Sequence, residues 1–434
     1  MPCGTRYRCS ILDRMITAAV IFGITYLAIA VGRIPTAIIA VLGAAVMVFA
    51  RVLTPEQALN HIDLEVILLL AGMMILADII SRTGAFDWAA IRGARLVRGS
   101  GFGLLMLLVI LTAVASALLD NVTTVVIMVP ITLTLCRTLN LDPVPFLLGE
   151  VFASNIGGTA TIVGDPPNII VASAADIGFL DFAANMVPVS AISLVALMGL
   201  LFIWFRRDVR VSDEKRAEMM ATSSAGSIKD SNLLKKSLLV FGLTITAFFL
   251  HDTIGVSPAF VAIGGAAVLL LISGLEPGEI LREVEWTTLS FFAGLFILVG
   301  GLGEAGLIDR LQGWILQLSG GEEQNLALLM IFLGGGLSAI IDNIPFTATM
   351  TQVVLQIDTG TPDGSVNPLW WALTLGADLG GNFTIVGASA NVVVITVARA
   401  AGYPISFIKF FKYGLVIGLG TLLISAAYVL MRYY

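Results

Sequence analysis

Long apolar runs separated by short polar segments make up most of the chain. Eight of these runs predict membrane-spanning helices, because about 20 consecutive apolar residues cross a bilayer as a helix. The runs lie near residues 15–31, 35–50, 64–80, 182–205, 237–250, 257–273, 286–303 and 412–430. The shorter runs are expected to tilt or to kink. The pattern therefore predicts an all-α polytopic membrane protein.

The composition supports this prediction and narrows the function. The 434 residues are 57% hydrophobic and 12% charged, whereas a soluble domain is about 25% charged. Three cysteines are too few for a disulfide framework or a zinc site, and a net charge of −6 offers no basic surface for nucleic acid. We therefore expect no cofactor, no metal centre and no nucleic-acid partner. The first apolar run is interpreted as a span rather than a cleaved signal peptide, and the lipid bilayer is the expected environment.

Residues 206–236 form the longest polar segment, in which lysine and arginine lie beside serine, glycine and alanine. This composition is typical of a solvated linker between two halves of a chain. The positive-inside rule places the linker in the cytoplasm. We therefore predict a multi-pass protein of the bacterial inner membrane with a cytoplasmic central linker.

The two halves of the chain repeat one another. Asp120-Asn121 lies over Asp342-Asn343 at an offset of 222 residues, and residues 155–168 lie over 378–391 at an offset of 223. Five predicted crossings separate the two Asp-Asn pairs, and an odd number means that the two copies enter the membrane from opposite faces. The predicted organisation is a first inverted repeat over 1–205, with a hairpin tip near 120 and a broken helix at 145–175. The linker at 206–236 precedes a second inverted repeat over 237–434, with a tip near 342 and a broken helix at 369–398.

The two Asp-Asn pairs are the first candidates for a functional site. A carboxyl and an amide group at membrane depth cost several kcal/mol unless they find partners. The apolar arms on either side of each pair form either two full spans or a re-entrant hairpin. The plain alternative to a functional site is that Asp-Asn only caps a turn. In a hairpin the following side chains could cap the helix ends: Asn121, Thr123, Asn343 and Thr347.

Glycine interrupts both broken helices, and proline interrupts only the first, since the second has Ala388-Ser389-Ala390 in place of Asp165-Pro-Pro. The first contains Gly157-Gly158 and the segment Gly164-Asp165-Pro-Pro-Asn168. Proline removes a backbone donor, so a helix must break there and expose amide and carbonyl groups. Glycine pairs in membrane helices most often serve close packing, which is the first interpretation here. The candidate backbone positions are Gly157, Gly158, Gly164, Gly380, Gly381 and Gly387.

At these residues the chain resembles the ion transporter superfamily, and within it the ArsB/NhaD-type permeases, which include arsenite efflux pumps and the melanosomal P protein. The resemblance covers about Leu64 to Tyr434 and rests on residues 119–124, 155–168, 342–350 and 387–391. It implies a scaffold and an elevator-type transport domain built of two opposed re-entrant hairpins and two broken helices. Relatives that carry dicarboxylates have serine where this chain has Asp120 and Asp342. This departure argues against dicarboxylate and sodium symport.

The leading hypothesis is a secondary transporter that exports arsenite and antimonite as neutral trihydroxides in exchange for protons. Such a solute needs several hydrogen-bonding partners and no counter-charge. The expected substrate-binding residues are Asn121, Thr123, Asn168, Asn343, Thr347 and Asn391. Burial and neighbouring acids change the affinity of a carboxyl group for protons. The expected proton-coupling residues are Asp120, Asp165, Asp342 and Asp378.

Several alternatives stay open from the sequence. The same fold could exchange sodium for protons, with carboxylate and carbonyl oxygens as ligands. An intramembrane aspartyl protease would explain paired membrane acids but not the duplication of the whole chain, so we do not expect an enzyme. A separate cytoplasmic ATPase subunit could drive the pump, since the chain has no glycine-rich nucleotide motif ending in Lys-Ser/Thr. A homodimer is also left open.

Overall fold

The computed structural model describes residues 4–31, 34–221, 226, 228–358 and 366–434. The predicted all-α class is confirmed, and no strand occurs among these residues. Parts of the predicted linker, residues 222–225 and 227, lie outside the described residues. In chain order the helices are α1 (Gly4–Val31), α2 (Thr36–Phe49), α3 (Pro55–Asn60), α4 (Leu64–Arg82), α5 (Ala85–Leu96), α6 (Gly101–Leu118), α7 (Asn121–Leu139), α8 (Val144–Gly158), α9 (Pro166–Ala175), α10 (Phe179–Phe205), α11 (Asp213–Ala221), α12 (Ser231–Ile254), α13 (Pro258–Ser273), α14 (Pro277–Glu283), α15 (Trp286–Glu304), α16 (Leu307–Ser319), α17 (Glu323–Ser338), α18 (Asn343–Ile357), α19 (Pro368–Gly380), α20 (Ser389–Ala400) and α21 (Phe407–Tyr433).

The described helices follow the same order in both halves, so that α1–α10 correspond to α12–α21. The short α11 lies between them. Equivalent positions share local chemistry: Gly84 precedes α5 at φ +79° and Gly306 precedes α16 at φ +76°. Both values lie in the left-handed region, which glycine adopts without strain. The repeat in the sequence is therefore also a repeat of helices.

Within each half, a hairpin packs on the first part of its own broken helix. In the first half α6 packs along α8, and in the second half α17 packs along α19. A methyl group on Gly157 would lie 2.2 Å from the carbonyl oxygen of Ala113, and one on Gly380 would lie 2.5 Å from the Cα atom of Gly335. Glycine thus lets these helices touch backbone to backbone.

The two halves exchange contacts at the centre of the molecule. Hairpin helix α7 packs on α20, and hairpin helix α18 packs on α9. Each hairpin therefore meets the second part of the other half's broken helix. Further from the centre, α4 packs on α13 and α15 packs on α2. This exchange brings both hairpin tips to the same region.

Helix length separates spans from shorter apolar helices. Eight described helices are long and apolar enough to cross a membrane, namely α1, α4, α6, α7, α10, α12, α15 and α21. Helices α2 and α13, which cover two of the predicted runs, have only 14 and 16 residues. The arms of the second hairpin, α17 and α18, have 16 and 15 residues. At 1.5 Å per residue they are about 24 Å long, shorter than a bilayer core of about 30 Å, which favours the re-entrant arrangement for this hairpin.

Candidate functional site

Asp120 and Asp342 lie at the two hairpin tips, and each caps the helix that follows it. The Asp120 carboxyl accepts a hydrogen bond from the Thr123 amide at 2.8 Å, and the Asp342 carboxyl accepts one from the Ile344 amide at 3.1 Å. The caps expected from the sequence are wrong, because the aspartate precedes each helix and reaches the free amide groups first. Those expected caps are Asn121, Thr123, Asn343 and Thr347.

A single carboxyl group joins the two tips. Asp165, which precedes α9, accepts hydrogen bonds from the side-chain amides of Asn121 at 2.7 Å and of Asn343 at 3.3 Å. Each amide uses a different carboxyl oxygen, and the three side chains are 1–3% exposed. The second half has Ala388 at the position of Asp165. The two Asp-Asn corners therefore converge on an acid that only the first half supplies.

A cavity of about 1020 Å³ lies beside these three side chains. Its acidic lining residues are Asp120, Asp165, Asp342 and Glu285, and most of the other lining residues are apolar. None of the described lining residues is basic. Arg33, which precedes the lining residue Ile34, lies outside the described residues. The cavity thus combines several acids with apolar walls, and it is large enough for a small solute.

Hydroxyl groups accompany the acids from the second half. The Ser389 hydroxyl donates to Asp342 at 2.8 Å, and the Thr288 hydroxyl donates to Glu285 at 2.8 Å. Glu285 immediately precedes the α15 span and is partly buried. Burial raises the pKa of Glu285, the nearby Asp120 carboxyl raises it further, and the bond from Thr288 lowers it.

Sequence reasoning did not select Glu285 or Tyr26, although both line the cavity. A signal for Glu285 was available: the offset of 222 places it over Asp63, and each of these acids immediately precedes an apolar span. Tyr26 carries no such signal because it lies within an apolar run. Its hydroxyl oxygen is buried close to Thr349.

Two predicted substrate ligands, Asn168 and Asn391, do not reach the cavity. The Asn168 amide donates to the carbonyl oxygens of Gly158 at 2.9 Å and Thr161 at 2.8 Å. Asn391 makes the equivalent pair of bonds in the second half, at 2.7 and 2.8 Å. A helix that breaks leaves carbonyl groups unpaired, and an asparagine in the first turn of the next helix satisfies them. In this conformation both side chains therefore hold the loops of the broken helices.

The predicted threonines also lie outside the cavity lining. The Thr347 hydroxyl donates to the Asn343 carbonyl oxygen at 2.8 Å within α18, and Thr123 contributes its backbone amide to the cap of α7. Of the six predicted substrate ligands, the structure brings only Asn121 and Asn343 to the cavity. Both direct their amide groups to the same acid.

Asp378 is the one predicted proton-coupling acid that does not line the cavity. It is fully buried on α19, close to Thr159 and Asn168. It interacts electrostatically with Asp165. Asp378 is therefore a buried neighbour of the site.

The glycines of the broken helices shape the backbone and do not line the cavity. A methyl group on Gly164 would lie 2.3 Å from the carbonyl oxygen of Gly158, and one on Gly387 would lie 2.9 Å from that of Gly381. The two ends of each loop thus pass each other at a distance that only glycine permits. The predicted backbone positions with close contacts of this kind are Gly157, Gly158, Gly164, Gly380, Gly381 and Gly387.

A smaller cavity of about 330 Å³ is lined by the equivalent elements of the opposite half. It lies between α4, α9 and the turn from α12 to α13, whereas the large cavity involves α15, α20 and the turn from α1 to α2. Beside the small cavity the Ser173 hydroxyl donates to Asp63 at 2.7 Å. Of the two cavities, only the large one is lined by the hairpin tips. The two repeat-related cavities are therefore unequal in size in this conformation.

The chain is similar to known membrane transporters. The citrate transporter family, CitMHS, matches residues 26–376. An uncharacterized transporter of Mycobacterium tuberculosis is 44% identical over 426 residues, which cover 96% of this chain and 99% of that protein. The P protein of Sus scrofa is 34% identical over 510 residues, which cover 98% of this chain but 60% of that protein.

A solved structure has the same fold. The YdaH transporter of Alcanivorax borkumensis, described as having an unusual topology, aligns with a TM-score of 0.56 at 18% identity, over 83% of this chain and 84% of that one. The superfamily named from the sequence and the expectation of a transporter are confirmed. The narrower ArsB/NhaD type stays a prediction. The chain belongs to the citrate transporter (CitMHS) family of membrane transporters.

Proposed function

We propose that this protein is a proton-coupled secondary transporter that exports arsenite and antimonite as neutral trihydroxides. One observation carries the proposal: four acids, Asp120, Asp165, Asp342 and Glu285, line a cavity in which none of the described residues is basic. A free anion would be repelled there. This argues against uncomplexed citrate, the substrate in the family's description.

A neutral trihydroxide suits this lining because it offers three O–H donors. Carboxylates are acceptors, and hydroxyl side chains both donate and accept. The cargo ligands in this proposal are therefore Asp120, Asp342 and Glu285 together with the hydroxyl groups of Thr288 and Ser389. This set differs from the asparagine and threonine set expected from the sequence, because Asn121 and Asn343 already donate to Asp165 in this conformation.

Proton coupling follows from the same acids. A carboxylate that accepts an O–H group from the cargo cannot at the same time keep its own proton on that oxygen. Binding of the trihydroxide therefore favours proton release, and departure of the cargo favours proton uptake. Asp165 couples this proton exchange to the conformation of the protein, since its two carboxyl oxygens accept hydrogen bonds from Asn121 and Asn343 at the two hairpin tips. The cycle needs a proton gradient and no ATPase subunit.

The two unequal cavities support alternating access. The hairpins and broken helices move as one transport domain against a scaffold of outer helices, which closes the large cavity and opens the small one. In the present conformation the Ser173 hydroxyl donates to Asp63 beside the small cavity. At the repeat offsets these residues correspond to Thr396 and Glu285. After the movement, Thr396 donates to Glu285 and the Ser173 bond is broken.

Exchange of sodium for protons is the second candidate. The four carboxyl groups favour it, because hard cations prefer oxygen ligands. Against it, no group of three or more acidic, imidazole or thiol side chains in the described part of the chain is placed to hold a metal ion. The acids surround a wide cavity rather than a point. This spacing fits a solute better than a bare ion.

Flux measurements in proteoliposomes separate the two candidates. The purified chain is reconstituted, a proton gradient is imposed, and uptake of radioactive arsenite or antimonite is followed together with internal pH. We expect metalloid uptake coupled to opposite proton movement and independent of sodium. Metalloid uptake equal to that of protein-free liposomes refutes the proposal, and sodium-driven proton movement in the same vesicles supports the second candidate.

A further inference from the structure

A buried row of polar side chains runs along the contact of α7 and α8, behind the cavity. Glu150 is fully buried, and one of its oxygens accepts a hydrogen bond from the Thr132 hydroxyl at 2.5 Å. Its other oxygen has no partner. Thr124, which precedes Thr132 on α7, also has a buried hydroxyl group without a hydrogen-bond partner. Each polar atom left unpartnered at this depth costs free energy of folding, which makes these side chains candidates for a functional role.

This row leads to the acid that joins the hairpin tips. Ser154 lies one helical turn, about 6 Å, beyond Glu150 on α8. Its hydroxyl donates to the Asn121 carbonyl oxygen at 3.1 Å, and the Asn121 amide donates to Asp165 at 2.7 Å. The gap of one turn between Glu150 and Ser154 is short enough for a water molecule to bridge.

The second half provides an internal control, because the equivalent row is apolar. At the offsets of 222 and 223 residues, the positions of Thr124, Thr132, Ser154 and Glu150 are occupied by four buried apolar side chains. Those are Phe346, Val354, Ala377 and Leu373. Both rows belong to equivalent helix pairs. The fold therefore does not require polar side chains there, and the first half has them for another reason.

Few charged groups approach Glu150. Cys136, one turn beyond Thr132 on α7, interacts electrostatically with Glu150 and with Asp142 in the turn before α8. Helices α6, α10, α19, α20 and α21 also pack on α8. Within the described residues no cation lies within ion-pair distance of Glu150. A buried carboxyl group without a neighbouring cation is favoured in its neutral form, which it reaches by binding a proton.

We propose that Glu150 is a proton-binding site on a route between the α7–α8 turn and Asp165. A hydronium ion in the water at the exposed turn near Asp142 supplies a proton to the Glu150 carboxylate and leaves a neutral water molecule. Glu150 then passes that proton to the Asp165 carboxylate through bridging water that runs past Ser154 and Asn121, since the Asn121 amide cannot itself relay a proton, and Glu150 becomes a carboxylate again. The route opens on one side only, since the second half lacks it. This inference rests on the proposed proton coupling and adds the path by which the proton arrives.

Glu150→Gln and Glu150→Leu test the route. Glutamine keeps an acceptor for Thr132 but cannot carry the proton, and leucine copies the second half, where Leu373 packs at the equivalent position. Both variants are therefore expected to fold. In proteoliposomes, metalloid-driven proton movement should fall on the order of 100-fold. Exchange of radioactive metalloid between equal pools at constant pH should stay within about twofold, because it needs no net proton transfer.

Other results would overturn the inference. Proton movement at the wild-type rate in either variant would make Glu150 structural. Equal loss of exchange and proton movement in both folded variants would assign Glu150 to cargo binding. Glu56→Gln, an exposed acid on α3, is the control and should match the wild type.

Infrared difference spectroscopy tests Glu150 without any cargo. The carboxylic C=O band of the protein is titrated with pH, and the wild type should show one reversible component that Glu150→Gln removes. A spectrum that Glu150→Gln leaves unchanged would refute the proton site. If the wild type transports no metalloid, the proposed cargo fails, and this spectrum still decides whether Glu150 binds a proton.

Discussion

Replacement of Asp165 tests the contact that joins the two halves. Asp165→Leu removes the acceptor of two side-chain amides, those of Asn121 and Asn343, which are 3% and 2% exposed. A buried donor left without a partner costs about 1–3 kcal/mol. The two together should lower the free energy of unfolding by about 2–6 kcal/mol, toward the lower end because both amides border a cavity that water can enter.

Asp165→Asn should have an intermediate effect. Its carboxamide offers one acceptor oxygen, so one of the two hairpin amides keeps its bond while the other faces an NH₂ group. The expected loss is then about 1–3 kcal/mol. The order of stability is wild type, Asp165→Asn, Asp165→Leu, measured by denaturant unfolding of the purified protein in detergent. Asp176→Asn, an exposed position at the end of the same helix, is the control. Wild-type stability in Asp165→Leu would refute the bridging role.

Three further predictions concern the acids and the packing. Asp120→Asn and Asp342→Asn keep a capping side chain and should fold, yet lose metalloid-driven proton movement on the order of 100-fold in proteoliposomes; wild-type flux in either would remove that acid from the mechanism. Gly157→Ala places a methyl group 2.2 Å from a carbonyl oxygen of α6 and should lower the free energy of unfolding by about 1–3 kcal/mol, whereas Gly199→Ala, with nothing within 4 Å, should not. Glu285 has a raised pKa, so the folded state holds a proton that the unfolded state releases. The resulting stability is lost as pH rises from the ordinary glutamate value of 4.5 through the folded-state pKa. Glu285→Gln should therefore flatten the fall in melting temperature over that range, and identical pH profiles would contradict this.

The sequence predicted the features that follow from chain order. Apolar runs locate most spans, and the offset between Asp120 and Asp342 reveals the repeat of helices before any coordinates. Glycine marks the two loops that separate α8 from α9 and α19 from α20, and proline marks the first of them. These inferences succeed because length, hydrophobicity and backbone restrictions act locally.

Side-chain direction and cross-half contacts could not be read in the same way. Asn168 and Asn391 were predicted from the motif to bind the substrate, but their side-chain amides donate hydrogen bonds to carbonyl oxygens of their own loops. Asn121 and Asn343 reach the cavity, although their meeting at Asp165 depends on how the halves pack. The sequence did not single out Glu150, because it is the one charged residue of α8. Its candidate role follows only from its buried position behind the cavity.

A double-mutant cycle of Asn121 and Asn343 tests most directly whether the two hairpin tips form one site. Asn121→Ala, Asn343→Ala and the double variant are compared by their free energies of unfolding, with Asn232 of α12 replacing Asn343 in a control cycle. Since both amides bind the same Asp165 carboxyl, the two substitutions should couple by about 0.5–3 kcal/mol. Effects that add to within about 0.5 kcal/mol, as expected for the control cycle, would contradict a shared site.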